Sequence, residues 1–184
     1  INPRDNLETL TNKLSDISSK LLVKSIEEIE LTNGIDINQK LNQLQAISQS
    51  KLSNRTSYAR QINKEDYLID WESNSTEVYN LVRGLYPNAY TIFKGKRIKI
   101  TELDIVNTTS LDTEKELITS QMKPSAMKIE PGTIININKE KGIILSTNNG
   151  HVIINSGQFE GKKITNAYTL SLQAQLKIND KLGK

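Results

Sequence analysis

Ten basic side chains gather in three short stretches of this 184-residue chain. Lys94, Lys96, Arg97 and Lys99 surround Gly95, Lys162 and Lys163 follow Gly161, and Lys51, Arg55, Arg60 and Lys64 lie within residues 37–64, which hold five basic groups and no acid. Cations at that density can neutralise phosphate oxygens and so position a nucleic acid without reading its sequence. The same side chains also suit solvated turns, where an exposed charge does nothing specific. Spacing alone leaves both readings open.

Acid–base and metal chemistry find little support. The chain has one histidine and no cysteine, so disulfides and thiolate zinc sites are excluded, which fits a reducing cytoplasm. His151 follows the turn residues Asn148-Asn149-Gly150 inside a β-rich run and reads as a structural or surface residue. No glycine-rich phosphate loop and no metal-ligand spacing occurs, and neither cofactor nor metal is expected on this chain. Net charge is only +3, but it is unevenly spread. Residues 1–36 carry four basic and seven acidic groups, whereas residues 86–184 carry fourteen basic and nine acidic. The positive field therefore belongs to the middle and second half. No run approaches the roughly 18 apolar residues of a membrane span, and Ile1-Asn2-Pro3-Arg4 is neither a signal peptide nor an initiator start.

The elements that must position these groups are signalled locally. Leu7, Leu10, Leu14, Ile17, Leu21, Leu22, Ile26 and Ile29 recur at helical steps over residues 5–31. Asp5 and Glu8 are spaced as an N-terminal cap, with Asn33-Gly34 as the stop. Nothing of equal length is available to cover that stripe, so the expectation is that a partner segment precedes Ile1. Residues 35–57 read as a basic linker with a loose helical turn or two around Leu41, Leu44 and Ile47. Asn74 and Glu77 are spaced as a reciprocal cap for a helix that buries Val78, Leu81, Val82 and Leu85 and stops before Pro87. Trp71, the sole tryptophan, is expected to plug the junction between that helix and a barrel, with base stacking the lesser alternative. Strands are expected over Ala89–Phe93, Arg97–Val106 with one bulge, Gly132–Asn138, Gly142–Thr147 and His151–Asn155, and a last helix capped by Asn166 runs to Leu176. Residues 107–130 read as a long loop with a short helix near Asp112–Ile118. The fold class is α+β, mostly β: a small OB-like Greek-key barrel, a type that carries nucleic acid on its face and loops.

One stretch has a more specific order. Tyr58-Ala59, Lys64-Glu65-Asp66, Ile69-Asp70-Trp71, the helix over Thr76–Leu85, and Pro87 ahead of Ala89-Tyr90-Thr91 resemble the segment joining the catalytic and carboxy-terminal domains of methionyl-tRNA formyltransferases. Pro131-Gly132-Thr133-Ile134, Gly142-Ile143, Gly161-Lys162-Lys163 and Lys181-Leu182-Gly183 are similar to landmarks of that family's carboxy-terminal barrel. Asn88 stands where the family commonly has a second proline, and Asn179-Asp180 where it has a glycine nearby. The resemblance implies three parts. Residues 1–34 would be the last helix of an otherwise absent α/β formyltransferase domain, 35–57 a basic linker, and 58–184 a tRNA-binding OB-like domain.

The resemblance implies an enzyme that moves a formyl group from 10-formyltetrahydrofolate to the amine of initiator methionyl-tRNA, as a monomer in the cytoplasm or an organellar matrix. The family draws its catalytic Asn, His and Asp and its folate site from the amino-terminal domain, so this chain alone is expected to be inactive. Its share would be to hold tRNA through Lys51, Arg55, Arg60, Lys64, Lys94, Lys96, Arg97, Lys99, Lys162 and Lys163. Two alternatives stay open: the carboxy-terminal domain of an amino-sugar-nucleotide formyltransferase, and a nucleic-acid-binding module with no catalytic partner.

Overall fold

The computed structural model describes residues 1–30, 36–48, 51, 57–106 and 129–183. The Asn33-Gly34 stop and the short helix expected near Asp112–Ile118 fall outside them. Contacts divide the chain into two compact units, one of Ile1 and residues 8–62, the other of residues 2–7 and 63–184.

The first unit is helical. α1 spans Leu7–Glu30 and α2 spans Ile37–Gln43. No residue of α1 is buried: Leu14, Ile17, Leu21, Leu22 and Ile26 are all about half exposed. Ion pairs at helical spacing, Lys20–Asp16 at 2.7 Å and Lys24–Glu28 at 3.8 Å, line the polar side and add only a few tenths of a kcal/mol each. Among the described residues, no helix is long and apolar enough to cross a membrane.

The second unit is a mixed α/β domain built on an antiparallel sheet. Its strands are β1 (Tyr90–Phe93), β2 (Lys96–Ile105), β3 (Ile134–Asn138), β4 (Gly142–Ser146), β5 (His151–Phe159) and β6 (Ile164–Asn166), in the order β1-β2-β5-β4-β3 with β6 on the far half of β5. A 3₁₀ turn (Lys64–Tyr67) and two helices, α3 (Ser75–Gly84) and α4 (Ala167–Ala174), complete it. The reciprocal cap of α3 forms as its spacing requires: Asn74 Oδ1 accepts the Glu77 amide at 2.9 Å and Glu77 Oε2 accepts the Asn74 amide at 3.1 Å. Such a cap contributes about 1 kcal/mol. Val78 and Val82 are its buried face. Asn166 caps α4 one way only, its Oδ1 accepting from the Thr169 amide at 2.8 Å.

The β1–β2 turn contains only Lys94 and Gly95, both with positive φ (49° and 76°), the backbone twist that a two-residue hairpin favours. The slip in the alternation of β2 is a register shift across Ile100–Leu103. β5 runs four residues beyond the expected end, to Phe159. Asn155-Ser156-Gly157-Gln158 has weak strand propensity, but pairing with β2 supplies what propensity lacks. There the Thr101 and Ser156 hydroxyls meet at 2.8 Å, and a Cβ at Gly157 would sit 2.5 Å from the Lys99 carbonyl.

The core lies between the sheet, α3 and α4. Trp71 is 4 % exposed and belongs to the same core cluster as Ile69, Val78, Ile98, Ile134, Leu170 and Leu182, and its indole N–H donates to the buried Thr91 hydroxyl at 3.0 Å. It is the plug expected from sequence. A smaller cluster of Val106, Ile135 and Ile144, joined by Ile129 and Ile153, explains why every residue of β4 is buried. The C-terminal segment joins the two outer strands: the Asn179 amide donates to Ile134 O of β3 at 2.8 Å, the Leu182 amide to Gly132 O just before β3 at 2.8 Å, and the Gly183 amide to Ile92 O of β1 at 3.0 Å.

Gly132 has φ +82°, and a Cβ there would lie 2.4 Å from Leu182 O and 3.2 Å from the Trp71 ring. Gly132→Ala is expected to destabilise the domain by about 2–4 kcal/mol. Gly161→Ala carries the same backbone sign (φ +75°) in open space and should cost only about 1–2 kcal/mol. Urea unfolding followed by the emission of the single tryptophan measures both; equal costs would show that the close approach at Gly132 contributes nothing.

Candidate nucleic-acid interface

Register brings two of the three basic stretches together. In β1–β2, Lys96 faces Phe93 and Lys99 faces Tyr90; in β2–β5, Ile98 faces Phe159 and Lys99 faces Gln158. The Glu160 amide donates to Arg97 O at 3.1 Å and the Lys162 amide to Phe159 O at 2.9 Å, so the β5–β6 turn lies beside the β1–β2 hairpin. Lys94, Lys96, Arg97, Lys99, Lys162 and Lys163 thus share one end of the sheet. All are exposed except Lys99, which is half-buried and donates to the neutral Asn88 Oδ1 at 2.9 Å. Among the described residues none of these six forms a salt bridge, and Glu160 is the acid that shares their turn.

Three of the cations lie over aromatic rings, Lys94 over Phe93 at 4.8 Å, Lys96 over Phe159 at 5.5 Å and Arg97 over Tyr90 at 4.2 Å. Such contacts, worth about 0.5–1 kcal/mol at exposed sites, orient long side chains that would otherwise sweep solvent. A charge held in place without a counter-carboxylate is what a phosphate oxygen would complete. Sequence reasoning missed these rings, although Phe93 adjoins Lys94 directly; what was not legible is that β5 carries Phe159 to Lys96.

The other four basic residues lie outside that hairpin and turn in the sequence. Lys64 is exposed at the start of the 3₁₀ turn, whose following residue Leu68 bridges to Tyr90. Arg60 donates to Gln61 O at 3.0 Å and, like the exposed Lys51, belongs to the helical unit. Arg55 lies outside the described residues. Farther along β2 the charge reverses: Asp104 accepts from Asn155 at 2.8 Å, and Glu102 faces Ser156 at 3.4 Å. They border a cavity of about 290 Å³ with Arg4, Tyr79 and Arg83. The Tyr79 hydroxyl and the Arg83 guanidinium both donate to Pro3 O, so these groups are engaged in fixing residues 2–7 to α3. Among the described residues no three His, Asp, Glu or Cys side chains gather as a metal site.

Lys181 and Glu130 form an exposed ion pair at 2.8 Å. Hydrogen bonding to Lys181 and its charge hold the Glu130 carboxyl below its ordinary range, and the Lys181 ammonium is raised in return. His151 sits at the start of β5, half-buried, with no hydrogen-bond partner for Nδ1 among the described residues, and burial pushes its pKa down.

The chain belongs to the formyl transferase C-terminal domain family, whose model matches residues 61–173. It is similar in particular to methionyl-tRNA formyltransferases. It is 50% identical to that of Prochlorococcus marinus strain NATL2A over 100% of this chain and 54% of the relative, and 39% identical to that of strain MIT 9515 over 100% and 52%. The chain therefore spans about half the length of the curated relatives it matches. In fold it resembles a multiply substituted HypX from Aquifex aeolicus, with a TM-score of 0.52 and 12% identity over 88% of this chain and 24% of that one.

The lowered pKa of His151 gives a signed prediction. The fold holds a neutral imidazole, while the unfolded chain takes up a proton near pH 6.5. The contribution of His151 is therefore complete above about pH 6.5 and is lost as pH falls through that value towards the lower folded pKa. His151→Gln is expected to flatten the stability profile below about pH 6.5 and leave its shape at pH 7–8 unchanged, read by urea midpoints across pH. An unaltered acid limb would rule His151 out as a contributor.

Proposed function

We propose that this chain is the tRNA-holding part of a methionyl-tRNA formyltransferase. In that reading the whole enzyme transfers a formyl group from 10-formyltetrahydrofolate to the amino group of initiator methionyl-tRNA for translation initiation. This chain supplies affinity for the RNA, and the part that carries the Asn, His and Asp of the family supplies the folate site and the chemistry. One observation carries the reading: six basic side chains at one end of the sheet, without carboxylate partners among the described residues, in a member of the formyl transferase C-terminal domain family.

The mechanism asked of these residues is electrostatic positioning. Nucleophilic attack by the methionyl amine on the formyl carbon needs the acceptor end held still, and lysine and arginine contacts to backbone phosphates hold it without reading bases. Lys94, Lys96, Arg97, Lys99, Lys162 and Lys163 form one segment of the track; Lys51 and Arg55 of the linker, and Arg60 and Lys64 after it, are read as separate phosphate contacts. The antiparallel sheet is read as an OB-like Greek-key barrel, closed by the C-terminal segment, whose loops present the track. The half-exposed apolar stripe of α1 is read as the face that packs on the catalytic domain, because a stripe of that width is normally covered. The enzyme acts as a monomer in the cytoplasm or an organellar matrix, with no metal.

The test is binding of this chain to formylatable tRNA and to a random-sequence tRNA over a salt series. Each phosphate contact contributes about 0.7–0.9 to the slope of log affinity against log salt. Lys96→Ala, Arg97→Ala and Lys99→Ala combined should lower that slope by about 2 and weaken both RNAs alike, with tryptophan emission unchanged. An unchanged slope removes this patch, and absence of binding even at low salt would favour the amino-sugar-nucleotide alternative.

A further inference from the structure

Between the hairpin and the end of α4 lies a cleft of about 160 Å³, lined by Phe93, Lys94, Lys96, Phe159, Gln173 and Gln175. At the roughly 30 Å³ share of a liquid water it has room for about five waters, hence for one flat heterocycle. Phe93 is 7 % exposed and forms the floor, whereas Phe159 is only partly buried and offers a ring to the opening. Gln173 Oε1 is buried and accepts no hydrogen bond among the described residues. An acceptor in that state is normally satisfied by a partner. The Lys94 and Lys96 ammonium groups stand over the two rings at 4.8 Å and 5.5 Å, and both residues line the cleft.

We propose that this cleft is a subsite for one unstacked nucleobase of a single-stranded RNA segment. The base lies against Phe159, donates an exocyclic amino hydrogen to Gln173 Oε1 as that half-buried side chain turns its amide into the cleft, and has its flanking phosphates on Lys94 and Lys96. This goes beyond a backbone track, which has no place for a base, and rests on the reading of the domain as an RNA holder. Each feature answers a different part of a nucleotide: the ring the π-face, the amide oxygen the amino group, the ammonium groups the phosphates. Swinging an ammonium from a ring onto a phosphate exchanges a weak contact for a charge-assisted one, so the lysines present no barrier to entry. Cytosine, adenine and guanine carry the required amino group; uracil does not.

The experiment is fluorescence anisotropy of the full chain with labelled oligocytidine, oligouridine and a blunt RNA duplex, with CMP as competitor. The expected results are oligocytidine bound several-fold tighter than oligouridine, Phe159→Leu losing roughly ten-fold for oligocytidine with an unaltered salt slope, and Gln173→Leu abolishing the preference over oligouridine. Gln173→Leu serves as the deciding variant should Phe159→Leu shift the tryptophan emission. Equal affinity for all three RNAs, with both variants silent, overturns the subsite but leaves the basic track standing. CMP competing at the affinity of the oligomer overturns RNA as the ligand in favour of a free nucleotide. No binding of any RNA at low salt overturns the functional reading itself, and the subsite with it.

Discussion

Backbone passes backbone at Gly132 with no room for a side chain. Leu182 O lies 2.4 Å from where a Cβ would be, the Trp71 ring is just beyond, and the Leu182 amide is bonded to Gly132 O. The same C-terminal segment reaches β1 one residue later, through Gly183 and Ile92. Two outer strands that would each leave unpaired backbone groups are thereby tied to one segment. Trp71 lies beneath that tie and has its one polar atom satisfied by Thr91 on β1. The positions of α3, β1 and β3 therefore depend on one approach that only glycine permits.

The charged end of the sheet inherits its order from this frame. A two-residue turn at Lys94-Gly95 leaves the hairpin little freedom, and the β2–β5 pairing fixes where the β5–β6 turn must stand. Cations more than sixty residues apart in the sequence, such as Lys99 and Lys162, meet because β5 extends to Phe159, and aromatic rings hold the lysine and arginine side chains. Of the acidic groups of β2, Glu102 lies within the register shift and Asp104 beyond it, so one strand carries both signs in separate segments. A polyanion meeting this surface would find attraction at one end and repulsion farther along.

Under the proposed reading the chain separates holding from chemistry. Its potential to bind rests on many weak, exposed charges, each replaceable, whereas formyl transfer requires a few groups in fixed geometry. The two demands suit different scaffolds. A small sheet with basic turns meets the first, and the uncovered stripe of α1 is where the second part would join.

Sequence alone determined whatever is decided within a few residues. The caps at Asn74 and Asn166, the apolar period of α1, the turn at Gly95, the burial of Trp71 and the order of family motifs were all legible, because local hydrogen bonds and periodicity encode them. The far half of β5, β6 and the rings beneath the lysines were not. Asn155-Ser156-Gly157-Gln158 is a poor strand by propensity and becomes one only where β2 supplies partners. The basic residues were identifiable one by one, yet which of them share a surface was decided by strand register, a long-range property that no local spacing specifies.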